Sequence, residues 1–439
     1  MDEELSPEKG SGIFSKIENN LKIAGIGGVT FGIMILLLIT VIALRILPNN
    51  MGGALFALVV FGGIFFYLGN NLPIFRSYLG GGSVFATIAG AVLAGTGAVP
   101  TQTITTIKGF ISTSNFLEFY IVSLIISAIL KMDRKLLLKS AVRFLPVAFG
   151  SMIITFFVVG FAGQLLGLGF THTALYVAFP MMAGGVGAGI VPLSSIYGTA
   201  LHVSSGPILS QLFPPLVLSN LLAIIGAGFL VDNTKKSKLN GQGELLKVSE
   251  GIDTTERPLA KITFERLLIG MMVSLSFYMV GTMLNKLFPS INAFAFLILI
   301  AILSKALGII PRFYEDSAVL FGQLIVKTMT QALLAGVGLA LLNLNQLLKA
   351  FTWQLAVLVI ISIVTITLVS GLLGKLFGLY PVEASVTAGL ANNSMGGTGN
   401  VAVLSAANRM NLIAFAQMGN RIGGAIVLVI AGVLITVWH

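Results

Sequence analysis

The chain has no cysteine, which excludes disulfides, thiolate metal sites and cysteine nucleophiles. Charge is scarce too. Only 10% of the 439 residues are Asp, Glu, Lys or Arg, against about 25% in soluble domains, and 56% are hydrophobic. From Phe144 to Val231 there is no charged side chain at all. This composition fits an integral membrane protein and not a soluble domain. No paired acids, zinc-type spacing or nucleophile–base set occurs, which argues against an enzyme working inside the membrane. Basic residues outnumber acidic ones, 26 to 16, an excess that reads as cytoplasmic loops and not as a nucleic-acid surface.

What the chain has in abundance is long apolar stretches. After a polar segment, 1–22, comes an apolar run of 22 residues, Ile23–Leu44, without a small-residue cleavage site. At about 1.5 Å per residue this run spans a bilayer, so 23–47 is expected to be an uncleaved first helix. Further spans are expected near 52–70, 82–98, 115–131, 141–165 and 207–231. The polar stretch 232–264 reads as a linker, and spans follow near 266–288, 292–308, 318–342, 350–373 and 411–437. The expected class is an all-α polytopic membrane protein with about eleven transmembrane helices.

Two glycine signatures break this pattern: Ala183-Gly184-Gly185-Val186-Gly187-Ala188-Gly189, and Asn392-Asn393-Ser394-Met395-Gly396-Gly397-Thr398-Gly399-Asn400. Each precedes a similar tail, Val-Pro-Leu-Ser or Ala-Val-Leu-Ser, and upstream Gly163-Gln-Leu-Leu-Gly-Leu matches Gly374-Lys-Leu-Phe-Gly-Leu. The chain therefore reads as a duplication, 48–231 and 265–439, with the extra first helix outside it. Gly, Pro and Asn break 174–198 and 382–405 too often for ordinary spans, so both are expected to be re-entrant hairpins. Such backbone is tolerated at membrane depth only when buried in protein or lining a watery cavity. The basic cluster Lys131, Arg134, Lys135, Lys139 and Arg143 and the basic linker should both face the cytoplasm. That puts the N-terminus inside and His439 outside, leaves five spans plus a hairpin per half, and makes the halves inverted repeats. Broken segments at matched positions of such repeats mark a transporter's binding site.

The chemistry of these segments suits an anion. Glycine lets backbone N–H groups converge, and the start of a half-helix adds positive dipole. Arg421 lies well inside the last span. A guanidinium there costs at least about 2.5–3.5 kcal/mol unless it is neutralised. Of the sixteen acids, only Glu118 and Glu383 fall near the membrane, both at segment ends. A substrate carboxylate is the expected counter-ion, and Arg offers it a two-pronged donor. Arg409 is expected at the membrane interface, and His172 and His202 at loop ends as capping or surface groups.

The motifs Gly184-Gly185-Val186-Gly187, Gly396-Gly397-Thr398-Gly399 and Asn420-Arg421-Ile422-Gly423-Gly424, with Val401–Met410, resemble those of the 2-hydroxycarboxylate transporter family over nearly the whole chain. This resemblance implies a secondary carrier of citrate, malate or lactate. It implies homodimers in which a transport domain holding both hairpins slides against a dimerisation domain, an elevator. Arg421 would bind a substrate carboxylate, with Gly185, Val186, Gly187, Gly396, Gly397, Thr398 and Gly399 around it. The citrate–sodium symporters of the family place asparagine where Val186 stands and arginine where Met395 stands. Without those two groups, malate is expected ahead of trivalent citrate. No organic cofactor is called for. A coupling ion, Na⁺ or H⁺, is expected, with Asn392, Asn393, Ser394, Thr398 and Asn420 as oxygen donors for sodium. Malate–lactate exchange is an alternative. So is an ion antiporter or channel of similar inverted-repeat fold, although an antiporter would be expected to carry a deep Asp or Glu that this chain lacks. The expected location is the plasma membrane.

Overall fold

A computed structural model of the protein describes residues 18, 21–76, 81–131, 134–245, 261–288 and 293–438; the side chains of 134–142, 295, 398 and 414 lie outside that description. Each of the eleven expected apolar stretches contains a helix, and one further helix, Thr101–Thr113, lies outside them. In chain order these are α1 (Gly28–Ala43), α2 (Met51–Asn71), α3 (Gly81–Gly95), α4 (Thr101–Thr113) leading into α5 (Phe116–Leu130), α6 (Arg134–Leu165) and α7 (Ser205–Thr234). After the linker come α8 (Phe264–Leu287), α9 (Ala293–Leu307), α10 (Arg312–Gly336), α11 (Trp353–Leu376) and α12 (Ile413–Trp438). Among the described residues, seven helices are long and apolar enough to cross a membrane, and α4 with α5 makes an eighth as a pair bent by 49°. The others, including α1, α3 and the end of α9 (Phe296–Leu307), are shorter apolar helices.

Local sequence sets the helix ends. Asn50 accepts from the Gly53 amide at the start of α2, Thr263 from Arg266 at α8, and Thr352 from Leu355 at α11. Each satisfies an amide that has no partner inside its own helix. At α1 the cap comes from further off. The Glu18 carboxylate accepts from the Val29 and Thr30 amides at 2.8 and 3.0 Å and from the Thr30 hydroxyl at 2.7 Å. Those bonds, the Thr30 hydroxyl first, hold its pKa below the usual carboxylate value.

The helices pack in two groups. In one, α10 is the hub, packed on α2, α5 and α8, with α3 against α2 and α9 against α5 and α8. Small residues allow this closeness: Gly62 of α2 lies on the backbone of Gln331, and Gly322 of α10 on Ser123 and Ser127 of α5. The second group consists of α6, α7, α11 and α12 and holds the two glycine segments.

One sequence expectation about charge is corrected here. Glu118 and Glu383 are not the only acids in these helices, because Glu315 in the first turn of α10 is buried and bonded to Lys305 of α9 at 2.6 Å. Arg409, expected at the membrane interface, is enclosed by protein. It is 6% exposed and pairs at 3.0 Å with Glu383, which is completely buried. Removing two charges from water costs several kcal/mol per ion unless both are well bonded. Here the Gly241 and Gly243 amides also donate to Glu383, and Arg409 donates to Asn240 at 2.7 Å. Residues 239–245 of the linker are thereby fastened to the base of the second glycine segment.

Candidate functional site

Each glycine segment folds back on itself. The first has helical arms 170–182 and Val186–Leu201 joined by the turn Ala183-Gly184-Gly185. The arms lie side by side: the Tyr197 hydroxyl donates to the Leu175 carbonyl at 3.0 Å, and the rings of Tyr176 and Tyr197 meet edge-on. The second has arms 381–393 and Gly397–Ala406, whose outer ends are tied by the Glu383–Arg409 pair. The two tips meet. Gly184 and Gly185 have φ of +95° and +107°, and Gly396 has +65°, values that side-chain-bearing residues rarely adopt. A Cβ on Gly185 would overlap the Met395 carbonyl, and one on Gly396 would fall 2.5 Å from the Gly184 carbonyl oxygen.

Asn420 of α12 sits between the tips. Its amide donates to the Ala391 carbonyl at 3.0 Å, and its Oδ1 would lie 3.1 and 2.8 Å from a Cβ on Gly184 and Gly396 respectively. One residue on, Arg421 reaches a cavity of about 400 Å³ and donates to Gln417 at 3.3 Å. That volume suits a small organic molecule. One wall is made by Gly184, Ala188, Gly397, Asn420, Arg421 and Gly424 from the hairpins and α12. The facing wall comes from the other helix group: Ser127 and Lys131 at the end of α5, Ile298 of α9, and Gln323 and Lys327 of α10. None of the described lining residues is acidic.

Of the residues expected to bind substrate, Arg421 and Gly397 line this cavity directly. Gly185, Val186 and Gly396 are built into the joined tips instead, Gly187 lies beside Tyr120, and Gly399 packs on Asn220 and Ser394. The Thr398 side chain lies outside the described residues. Lys327 was missed by sequence reasoning. It stands in the middle of the 30-residue apolar helix Arg312–Leu341 and raises the same depth argument as Arg421. His172 stacks on Tyr176, and His202 ends the first hairpin with φ +55°; neither lines this cavity.

The expected cation donors Asn392, Asn393 and Ser394 are buried with Asn400 behind the second tip. Ser394 donates to Asn400 at 2.9 Å, Asn393 to Ser362 at 2.7 Å, and Asn392 to the Ala388 carbonyl at 2.8 Å. Asn220 of α7 accepts from the Met395 amide at 3.0 Å, and Ser219 donates to the Asn393 carbonyl at 2.6 Å. Two acceptors, Asn392 Oδ1 and Asn393 Oδ1, are buried and find no donor among the described residues. A buried oxygen without a donor costs free energy that a hard cation can recover.

A cavity with three cations and no acid among its described lining residues, set between two helix groups beside two helix hairpins that meet tip to tip, fits a membrane carrier. The chain belongs to the 2-hydroxycarboxylate transporter family, whose model matches residues 23–433. It is 58% identical over 418 residues to the citrate transporter CitP of Lactococcus lactis subsp. lactis, covering 95% of this chain and 94% of that protein. It is 45% identical over 420 residues to the malate transporter MleP of L. lactis strain IL1403, covering 95% and 98%. To the citrate/sodium symporter of Salmonella typhimurium it is 33% identical over 395 residues, covering 88% and 89%. The protein is thus a multi-pass membrane transporter and not an enzyme.

Proposed function

We propose that the protein carries malate and citrate across the plasma membrane, gripping one carboxylate with Arg421 between the two hairpin tips. The observation that carries this reading is Arg421 on a mostly apolar cavity that also takes Lys131, Lys327, Gln323 and Asn420, at the seam between two helix groups. The sequence expectation of malate ahead of citrate counted Arg421 as the one cation of the site. Lys131 and Lys327 on the facing wall alter that balance, and the similarity to proteins named for citrate and for malate supports both cargoes.

The helix grouping supports an elevator in which α6, α7, α11, α12 and both hairpins move against a scaffold built on α10, the scaffold pairing two copies in a homodimer. In this reading the eleven helices all cross the membrane, the hairpins are re-entrant from opposite sides, and the N-terminus is cytoplasmic. Lys131, at the end of α5 in the basic cluster, then marks the cytoplasmic mouth of the cavity. Coupling is cation symport. The donor-less Asn392 and Asn393 oxygens support sodium as the ion, and a proton carried on the substrate is the other form of symport.

The test is uptake into proteoliposomes across a panel of hydroxy acids, with sodium and pH gradients applied separately. Malate and citrate should be taken up, and succinate, lacking the 2-hydroxyl, should compete worse than malate. Uptake of neither hydroxy acid would overturn the reading; counterflow indifferent to both gradients would leave exchange as the mode.

A further inference from the structure

Lys327 is the deepest charge on the scaffold wall of the cavity. It lies on α10, midway along the helix Arg312–Leu341, with Gln323 one turn before it on the same face and lining the same space. Gln323 and Lys327 share one face and both line the cavity, so this polar pair serves the cavity. Arg421 occupies the opposite wall, on α12. Lys327 and Arg421 thus reach one space from different walls, and an anion held there would be attracted by both.

We infer that Lys327 is a second carboxylate-binding residue of the site, engaging the carboxylate that Arg421 leaves over, and that it does so in one state of the transport cycle only. The inference rests on reading the cavity as the hydroxycarboxylate site. Lys327 and Arg421 belong to different helix groups, and only Arg421 belongs to the group that carries the hairpins. A dicarboxylate held by both therefore bridges carrier and scaffold where the two cations face each other. When the groups slide apart Lys327 stays behind, and Arg421 keeps the substrate with the hairpin tips. Lys327 thus reads the number of carboxylates: a monocarboxylate satisfied at Arg421 has no group to offer it. The ammonium suits this role better than a second guanidinium, because it is a compact point charge that releases without breaking a two-pronged pair.

The test uses the full-length protein in proteoliposomes, with wild-type malate and citrate uptake measured first; failure at that step counts against the carrier reading itself. With wild-type transport in hand, Lys327→Gln should raise the KM for citrate and malate about tenfold, the effect of one charge-assisted hydrogen bond. The KM for lactate should stay within about twofold, and Lys327→Arg should recover much of the loss. The cysteine-free chain allows a second arm. Lys327→Cys should bind citrate poorly and regain affinity after 2-aminoethyl methanethiosulfonate, which restores an ammonium, but not after the neutral methyl reagent. An equal loss for all three substrates, no loss for any, or rescue by the neutral reagent would overturn the inference while leaving the carrier reading intact.

Discussion

Gly185 in the tip of the first hairpin lies so close to Met395 in the tip of the second that a single methyl group on Gly185 would overlap the Met395 carbonyl. Two segments about two hundred residues apart in sequence form one joint, and Asn420 and Arg421 stand beside it. Because Gly185 also has φ +107°, alanine there is disfavoured by both backbone conformation and space. Gly185→Ala should abolish uptake, while the folded protein, followed by size-exclusion chromatography in detergent, remains. Gly167→Ala, at φ +79° in open space away from the tips, should cost only conformational strain and preserve transport. Wild-type uptake by Gly185→Ala would mean that the joined tips are not the working geometry.

The Glu383–Arg409 pair gives a stability prediction. Arg409→Ala leaves a fully buried carboxylate with only backbone donors and should destabilise the protein by about 3–5 kcal/mol, lowering its melting temperature in detergent. Arg409→Ala combined with Glu383→Gln removes the orphaned charge and should recover part of the loss. A double variant no more stable than Arg409→Ala alone would show that the charge is not what the pair neutralises.

How much of this was legible in the sequence differs from residue to residue. The helices were readable because apolar runs mark where they lie, although α1, α3 and the end of α9 are shorter than the spans expected from bilayer thickness, and the glycine repeat located both turns. Arg421 stood out because an arginine inside an apolar helix has few structural excuses. Lys327 offered the same signal, but it was lost in a helix that also carries Gln323, Thr328 and Gln331 and so looks merely less apolar. The burial of Arg409 was hidden for another reason. Its partner Glu383 is 26 residues earlier, and its other side-chain partner Asn240 lies in the linker, so only folding brings them together. Likewise, nothing local says that Gly185 meets Met395, since that contact depends on how the two halves dock.

The buried amides make a prediction about ions. Asn393→Ala removes one donor-less oxygen and also the bond to Ser362, whereas Asn392→Ala removes the other oxygen and leaves Ser362 undisturbed. Asn392→Ala should raise the sodium concentration needed for half-maximal uptake about tenfold or more, with substrate binding at saturating sodium little changed. Sodium titration of initial uptake rates measures this. A wild-type protein insensitive to sodium, with uptake that follows the proton gradient, would remove the cation role from this pair.

The joint also predicts which surface substrate protects. Ala188 lines the cavity beside Gly184, so Ala188→Cys should react with a membrane-impermeant thiol reagent from the side on which Lys131 lies, and malate or citrate should slow the reaction. Labelling that ignores both substrates would place the binding site elsewhere.

The central claim is that Arg421 holds the substrate carboxylate, and direct binding to purified protein tests it most closely. Isothermal titration should show citrate and malate binding to the wild type and no measurable binding to Arg421→Ala. Arg421→Lys, which keeps the charge but loses the two-pronged geometry, should bind about 1–3 kcal/mol more weakly than the wild type. Near-normal affinity in Arg421→Ala would contradict the account.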